Sequence, residues 1–152
     1  MVACSDGDTV LPLGRIDSVR NEELDREHQE CSAALCQLSE HLSSAALANF
    51  LDVFQRHCMH EEALLEQYLY AQERTRLAAE GGVSMLLNSR TSHFQDHERL
   101  IGAAKQELAR LDDAGSSDVP VNFVNGLLRD FENHANLYDA SYADRLAAVI
   151  GA

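Results

Sequence analysis

Ionisable side chains standing on apolar helical stripes constrain this chain more than any other feature of its sequence. Four segments repeat apolar residues at intervals of three, four and seven, the pattern of a helix with one buried face, and each carries histidine on that face. The first spans about 19–42 and aligns Leu24, Cys31, Leu35, Leu38 and Leu42 with His28. The second spans about 44–80, its stripe reading Leu47, Phe50, Leu51, Phe54, His57, Glu61, Leu64, Leu65 and Tyr68. The third, about 83–112, aligns Leu86, Arg90, His93, His97, Leu100, Ile101, Ala104, Leu108 and Leu111. The fourth, about 120–150, offers Val124, Leu127, Phe131, His134, Leu137, Tyr138, Leu146 and Val149.

Breaks fall where the stripes stop. Ser43 and Ser44 can cap the second helix, Gly81-Gly82 separates the second from the third, and Asp113 to Pro120 is a loop in which Ser117 or Asp118 can cap the fourth. Residues 1–16 hold Gly7, Pro12 and Gly14 without periodicity and read as an extended arm. No alternating strand pattern or internal repeat competes, so the expected fold is all-α: an antiparallel up-down-up-down four-helix bundle with an N-terminal arm, forming a single domain over 1–152. A chain of this length buries roughly two thirds of its unfolded surface, enough for a core without staples.

Charge removes several classes of partner. With 25 acidic against 12 basic residues the net charge is -13, which opposes nucleic acid and anionic membrane surfaces. No stretch approaches the roughly 20 apolar residues of a membrane span, and no leader pattern opens the chain, so a cytoplasmic location is expected. The four cysteines, Cys4, Cys31, Cys36 and Cys58, form no zinc-like pair, and Cys31 and Cys36 point to different faces of one helix; free thiols are expected.

Helix geometry turns the histidines into a chemical argument. Residues four apart lie about 40 degrees apart around the axis and about 6 Å along it, so such a pair can share one metal centre. His57 with Glu61 and His93 with His97 satisfy this, whereas His134 and Asp139, five apart, diverge by about 140 degrees unless the helix is locally distorted. Burying charge without a partner costs several kcal/mol, and a cation is the simplest partner for these stripes. Imidazoles with carboxylates suit iron, manganese, zinc or copper. Seven protein ligands exceed the needs of one ion; five histidines, two bridging carboxylates and a bridging oxygen fill about eleven of the twelve positions around two octahedral metals. One position then stays open for a small molecule.

The order of these elements resembles hemerythrin, and in particular the bacterial hemerythrin-like domains: a lone His28 in Leu24-Asp25-Arg26-Glu27-His28, HxxxE from His57 to Glu61, HxxxH from His93 to His97 and HxxxxD from His134 to Asp139. The resemblance covers nearly all of the chain after the arm. It implies two iron ions (Fe2+/Fe3+) with a bridging oxo or hydroxo group, one iron held by His93, His97 and His134, the other by His28 and His57, and both bridged by Glu61 and Asp139. It further implies that dioxygen, or another small diatomic ligand, binds reversibly at the iron with two histidines, for storage, delivery or sensing. The chain departs from the family in having no tryptophan in the arm and in the 32 positions between Glu61 and His93, where Glu80-Gly81-Gly82 replaces a shorter Tyr-Pro segment, so the second and third helices are expected to be extended.

Other residues have plainer expectations. His60, three after His57, is placed on the helix flank, Glu62 in solvent, and His41 on the surface near a helix C-terminus, which favours it. Met59, Tyr138 and Tyr142 are expected in packing roles, with Tyr142 the better candidate to donate a hydrogen bond toward the irons. Beside reversible oxygen binding stand a diiron redox enzyme of peroxidase or oxidase type, nitric oxide handling, and a bundle in which the metal only stabilises the fold. A ferritin-like carboxylate oxidase needs Glu-x-x-His motifs, to which Asp25-Arg26-Glu27-His28 is the nearest approach.

Overall fold

The computed structural model describes residues 9–151, and all of its regular structure is helical. Residues 1–8 of the expected arm, with Cys4, and Ala152 lie outside the described residues. Four rods form the bundle. The first is α1 (Glu22–His41); the second is α2 (Ser44–Leu65), running through a five-residue π-turn, Glu66–Tyr70, into α3 (Ala71–Glu80). The third is α4 (Met85–Asp113), and the last is α5 (Val121–Asn133), a π-turn over His134–Asp139, and α6 (Ala140–Ile150).

Capping chemistry sets the ends. The Asn21 side chain accepts from the Leu24 amide, with Glu22, Glu23 and Asp25 in the first turn of α1, where the helix dipole favours acids. That cap starts the helix after Val19, which is buried against the bundle from outside it. Ser43 caps α2 through the Ala46 amide, and Ser84 caps α4 through the Leu87 amide, so the Gly81-Gly82 break falls between α3 and α4 as expected. Neither Ser117 nor Asp118 caps α5. Its N-cap is Pro120, with no side-chain bond, because the preceding loop is committed elsewhere: the Ser44 amide donates to the Ser117 carbonyl at 2.8 Å and the Val119 amide to the Leu42 carbonyl at 2.8 Å. These bonds tie the loop to the junction of α1 and α2, with Val119 buried beneath it.

Both π-turns re-phase a stripe. An i→i+5 turn inserts one residue, so positions beyond it rotate relative to an uninterrupted α-helix. At the end of the first turn Leu69 and Tyr70 are buried, while Tyr68, expected on the stripe, is only half-buried. After the second, Asp139, Tyr142 and Leu146 take the inward positions and Leu137, expected in the core, is 68% exposed. The extension expected of the second helix is real: α3 buries none of its residues.

Two apolar clusters fill the bundle. One gathers Leu35, Leu38, Leu47, Leu100, Leu111 and Leu127 around Phe50, Phe54 and Phe131, whose rings meet at 5.5–6.3 Å. The other holds Val19, Leu24, Leu65, Leu69, Tyr70, Tyr142, Ala143 and Leu146. Residues 9–17 run outside the helices with their backbone held by side chains of the last rod. The Leu11 amide donates to Asn125 at 2.7 Å, the Gly14 amide to Glu132 at 3.0 Å and the Asp17 amide to Asn136 at 2.8 Å, while Asn125 and Asn136 donate back to the Thr9 and Arg15 carbonyls. A Cβ at Gly14 would stand 2.3 Å from the Glu132 carboxylate, which would have to swing aside and give up its bond to the Gly14 amide.

Candidate metal centre

All seven residues singled out by spacing come together between the two apolar clusters. His28 projects from α1, His57 and Glu61 from α2, His93 and His97 from α4, and His134 and Asp139 from the two ends of the second π-turn. None is more than 3% exposed, and Glu61 and Asp139 are fully buried. The π-turn resolves the awkward spacing of the last pair: i→i+5 bonding puts residues five apart on one face, so His134 and Asp139 both point inward.

The donor atoms divide into two overlapping groups, Glu61, His93, His97, His134 and Asp139 in one, and His28, His57, Glu61 and Asp139 in the other, the atoms of each lying within 4.8 Å of one another. The carboxylates belong to both because each turns one oxygen to each side. Glu61 Oε1 lies 3.0 Å from His93 Nε2 and 3.1 Å from His97 Nε2, while Oε2 lies 3.5 Å from His57 Nε2. Asp139 Oδ1 faces His93 at 2.8 Å and His134 at 3.1 Å; Oδ2 faces His28 at 2.9 Å and His57 at 3.9 Å.

These short distances are not hydrogen bonds. All five Nε2 atoms, Glu61 Oε1 and both Asp139 oxygens are buried without a hydrogen-bond partner. Their lone pairs converge on shared points rather than on one another, and unsatisfied buried polar groups at this density are rare in native proteins. A cation at each of two points would satisfy them, so the donor set fits metal.

Charge tells the same story. Burial and the neighbouring Asp139 push the Glu61 carboxyl up, yet His93, His97 and His57 hold it well below its ordinary range, and His134, His28 and His57 do the same for Asp139 against its own burial. In return, although burial pushes the imidazoliums down, Asp139 and Glu27 bring His57 up to about 10, Asp139 and Glu61 bring His93 up to about 9, and Asp139 and Asp96 bring His134 up to about 10. Two ionised carboxylates in an apolar interior attract positive charge, supplied by protons on nitrogen or by metal on the same atoms.

A further ring of carboxylates fixes the imidazoles. Asp96 lies 2.7 Å from His134 Nδ1, Glu62 2.8 Å from His97 Nδ1 and Glu27 3.3 Å from His57 Nδ1. A proton held on Nδ1 leaves the Nε2 lone pair free to face inward, which is the arrangement by which histidine ligands are oriented. Glu62 is therefore not a solvent-facing bystander: it bonds His97 although its side chain is 36% exposed. His60, half-buried on the flank, also meets Glu27, at 2.8 Å. Each of the three acids adjoins a candidate ligand in sequence, one residue away from His28, Glu61 and His97, and that adjacency was the available signal. In a chain with 25 acidic residues it singles out nothing.

Aromatic rings close the site. Phe54 lies at 6.1–6.4 Å from the rings of His57, His97 and His134. Tyr142 donates a short hydrogen bond to Glu61 Oε2, and its hydroxyl is held protonated by burial and by the Glu61 and Asp139 charges. Tyr138, half-buried, stacks on His93 with ring centres 5.5 Å apart. Met59 is exposed and His41 ends α1 at the surface. Cys31 and Cys58 are buried free thiols, pushed up by burial and by the site carboxylates, so both stay protonated; Cys36 is exposed and free.

In comparisons with known proteins, no family model matches the chain, and neither a curated protein nor a solved structure matches it. Among the described residues, no helix is long and apolar enough to cross a membrane.

Proposed function

We propose that this chain is a hemerythrin-like non-heme diiron protein that binds dioxygen reversibly, for storage, delivery or sensing, at an open position on the ion held by His28 and His57. One observation carries the proposal: Glu61 and Asp139 each direct one oxygen to a three-histidine half and the other to a two-histidine half. Two bridged ions fit that division, and the half with fewer nitrogens is the one with room for a ligand. The four rods are proposed to alternate in direction. In support, the α1–α2 junction is bonded to the loop before α5, while Val83 and Met85, at the opposite junction, share a surface groove with Ala148 and Val149 of α6. The free thiols favour a reducing, cytoplasmic setting.

When bound, a pair of iron ions supplies two electrons and a vacant coordination position to a diatomic molecule. The chain supplies the rest. Glu27, Glu62 and Asp96 keep protons on Nδ1 of three histidines, presenting Nε2 to the centre. Tyr142 holds its proton against Glu61 Oε2, fixing that carboxylate in the orientation that serves both halves. The leucine and phenylalanine clusters on either side of the donor atoms would keep bulk water from a metal pair held there.

A diiron redox enzyme of oxidase or peroxidase type is the second reading, favoured by Tyr138 and Tyr142, two oxidisable rings stacked on His93. An absorption spectrum of the iron-loaded, anaerobically reduced protein separates the two. Colour that appears with oxygen and bleaches on its removal supports the carrier; irreversible conversion to a ferric spectrum supports the enzyme. Failure to retain roughly two irons per chain would sink both.

A further inference from the structure

The π-turn at Glu66–Tyr70 contributes no candidate metal ligand, since Glu61 precedes it by more than a turn. What it does is carry Tyr70 inward, to the wall of a cavity of about 120 Å³ beside the metal centre. The second π-turn borders the same cavity through Tyr138. Leu86, Ser89, His93, Ser141, Tyr142 and Arg145 complete its lining. Only one of the seven converging residues, His93, touches this space, so it is a separate compartment. Both π-turns border this one small cavity, and such turns are frequent at functional sites.

The lining joins an apolar side, made by Leu86 and the tyrosine rings, to a group of hydrogen-bond donors. Arg145 is an exposed cation with no ion-pair partner among the described residues, and Glu73, which shares a surface groove with it, is already bonded to Arg76 and Ser84. Tyr70 is nearly fully buried, with no side-chain hydrogen bond to its hydroxyl among the described residues, and its pKa is pushed up to about 12 by burial and by the charge on Glu61, so the hydroxyl stays a donor. Ser89 adds a further donor, whereas the Ser141 hydroxyl already donates to the Tyr138 carbonyl at 2.6 Å. A guanidinium fork, the Tyr70 phenol and the Ser89 hydroxyl around a space of this size match a small planar oxyanion with two equivalent oxygens.

We propose that this cavity binds a small oxyanion of the size and shape of formate, held by Arg145 and Tyr70 against Tyr142 and the outer side of His93, and not coordinated at the candidate metal centre. The proposal does not depend on the metal reading. Affinity is millimolar rather than tighter, because a chain of net charge -13 repels anions at long range.

Formate itself is the probe, titrated into metal-stripped and zinc-loaded protein carrying carbon-13 in its four tyrosine rings. Tyr70, Tyr138 and Tyr142 are expected to shift along one saturating curve while Tyr68, which does not line the cavity, stays still. Arg145→Gln is expected to weaken binding about tenfold or more, as for loss of a charged hydrogen-bond partner, with Arg145→Lys intermediate and Tyr70→Phe weakened with Arg145 intact. A linear titration, equal shifts in all four rings, or saturation unchanged in Arg145→Gln overturns the proposal. Two metals retained without formate binding refutes this site alone, and formate binding by protein that holds no metal refutes only the diiron reading.

Discussion

Replacing Asp96 tests whether the outer carboxylates orient metal ligands. Asp96 is the best placed of the three: it lies 2.7 Å from His134 Nδ1, its side chain is 13% exposed, and Arg99 holds it from the other side at 2.8 Å. Loss of such a partner typically lowers metal affinity 10- to 100-fold, or about 1.4–2.7 kcal/mol. Asp96→Ala removes both charge and acceptor and is expected at the upper end of that range. Asp96→Asn keeps an oxygen that can accept from Nδ1–H and is expected near the lower end, at about tenfold. Glu62→Gln should cost less than Asp96→Asn, since a more exposed carboxylate is better screened. Glu27→Gln should cost least, its contact with His57 being the longest at 3.3 Å. Competition against a chelator, with helical content checked in each variant, measures the series. An Asp96→Ala variant that binds both metals as tightly as the parent would falsify the orienting role, and equal losses at all three positions would show that the effect is only net charge.

Three further outcomes are expected. His57→Ala touches only the two-histidine half and should retain roughly one ion per chain, whereas Asp139→Ala, which faces both halves, should loosen both; metal analysis after gel filtration decides, and two ions in either variant refutes that residue's assignment. In the metal-stripped protein, His57, His93 and His134 are raised above their ordinary value, so their stabilisation is complete below about pH 6.5 and lost as pH rises through about 9–10; Glu61 and Asp139 are lowered, so theirs is present above the ordinary carboxylate range and lost as pH falls. Metal binding displaces the same protons and strengthens as pH rises, so urea midpoints of stripped and loaded protein should diverge between about pH 6 and pH 10, and parallel curves would contradict the shared-atom account. Phe54→Ala removes a ring against three site histidines and two phenylalanines and should cost about 3–5 kcal/mol in urea unfolding; a loss under about 1 kcal/mol would mean the ring is not part of the packed floor.

The helices and the seven converging side chains were legible because the bundle needs apolar residues at helical spacing, and ionisable groups on those stripes stand out. His57, Glu61, His93 and His97 needed nothing more than α-helical geometry. Asp139 was legible only as an anomaly, since a spacing of five fits one face through a π-turn, and nothing local in His134-Ala135-Asn136-Leu137-Tyr138 announces one. The same turn misled the core assignment, placing Leu137 inside when the inserted residue pushes it out. Glu27, Glu62 and Asp96 escaped because each lies beside the stripe, where a carboxylate looks like part of a solvated face until a facing helix brings an imidazole to it. Ser117 and Asp118 carried the right chemistry for a cap, but long-range backbone bonds to Leu42 and Ser44 claimed their segment.

The position of the centre between two separate apolar clusters has a consequence for how the protein comes apart. A layer of unpaired nitrogens and carboxylates is a seam: stripped of cations, it joins the Phe54 end to the Tyr142 end poorly, and each end can open on its own. Filled with metal, the layer would be bonded to all four rods at once. Metal loading would therefore set cooperativity as well as stability, and amides at the two ends of the bundle are expected to exchange independently in the stripped protein and together in the loaded one.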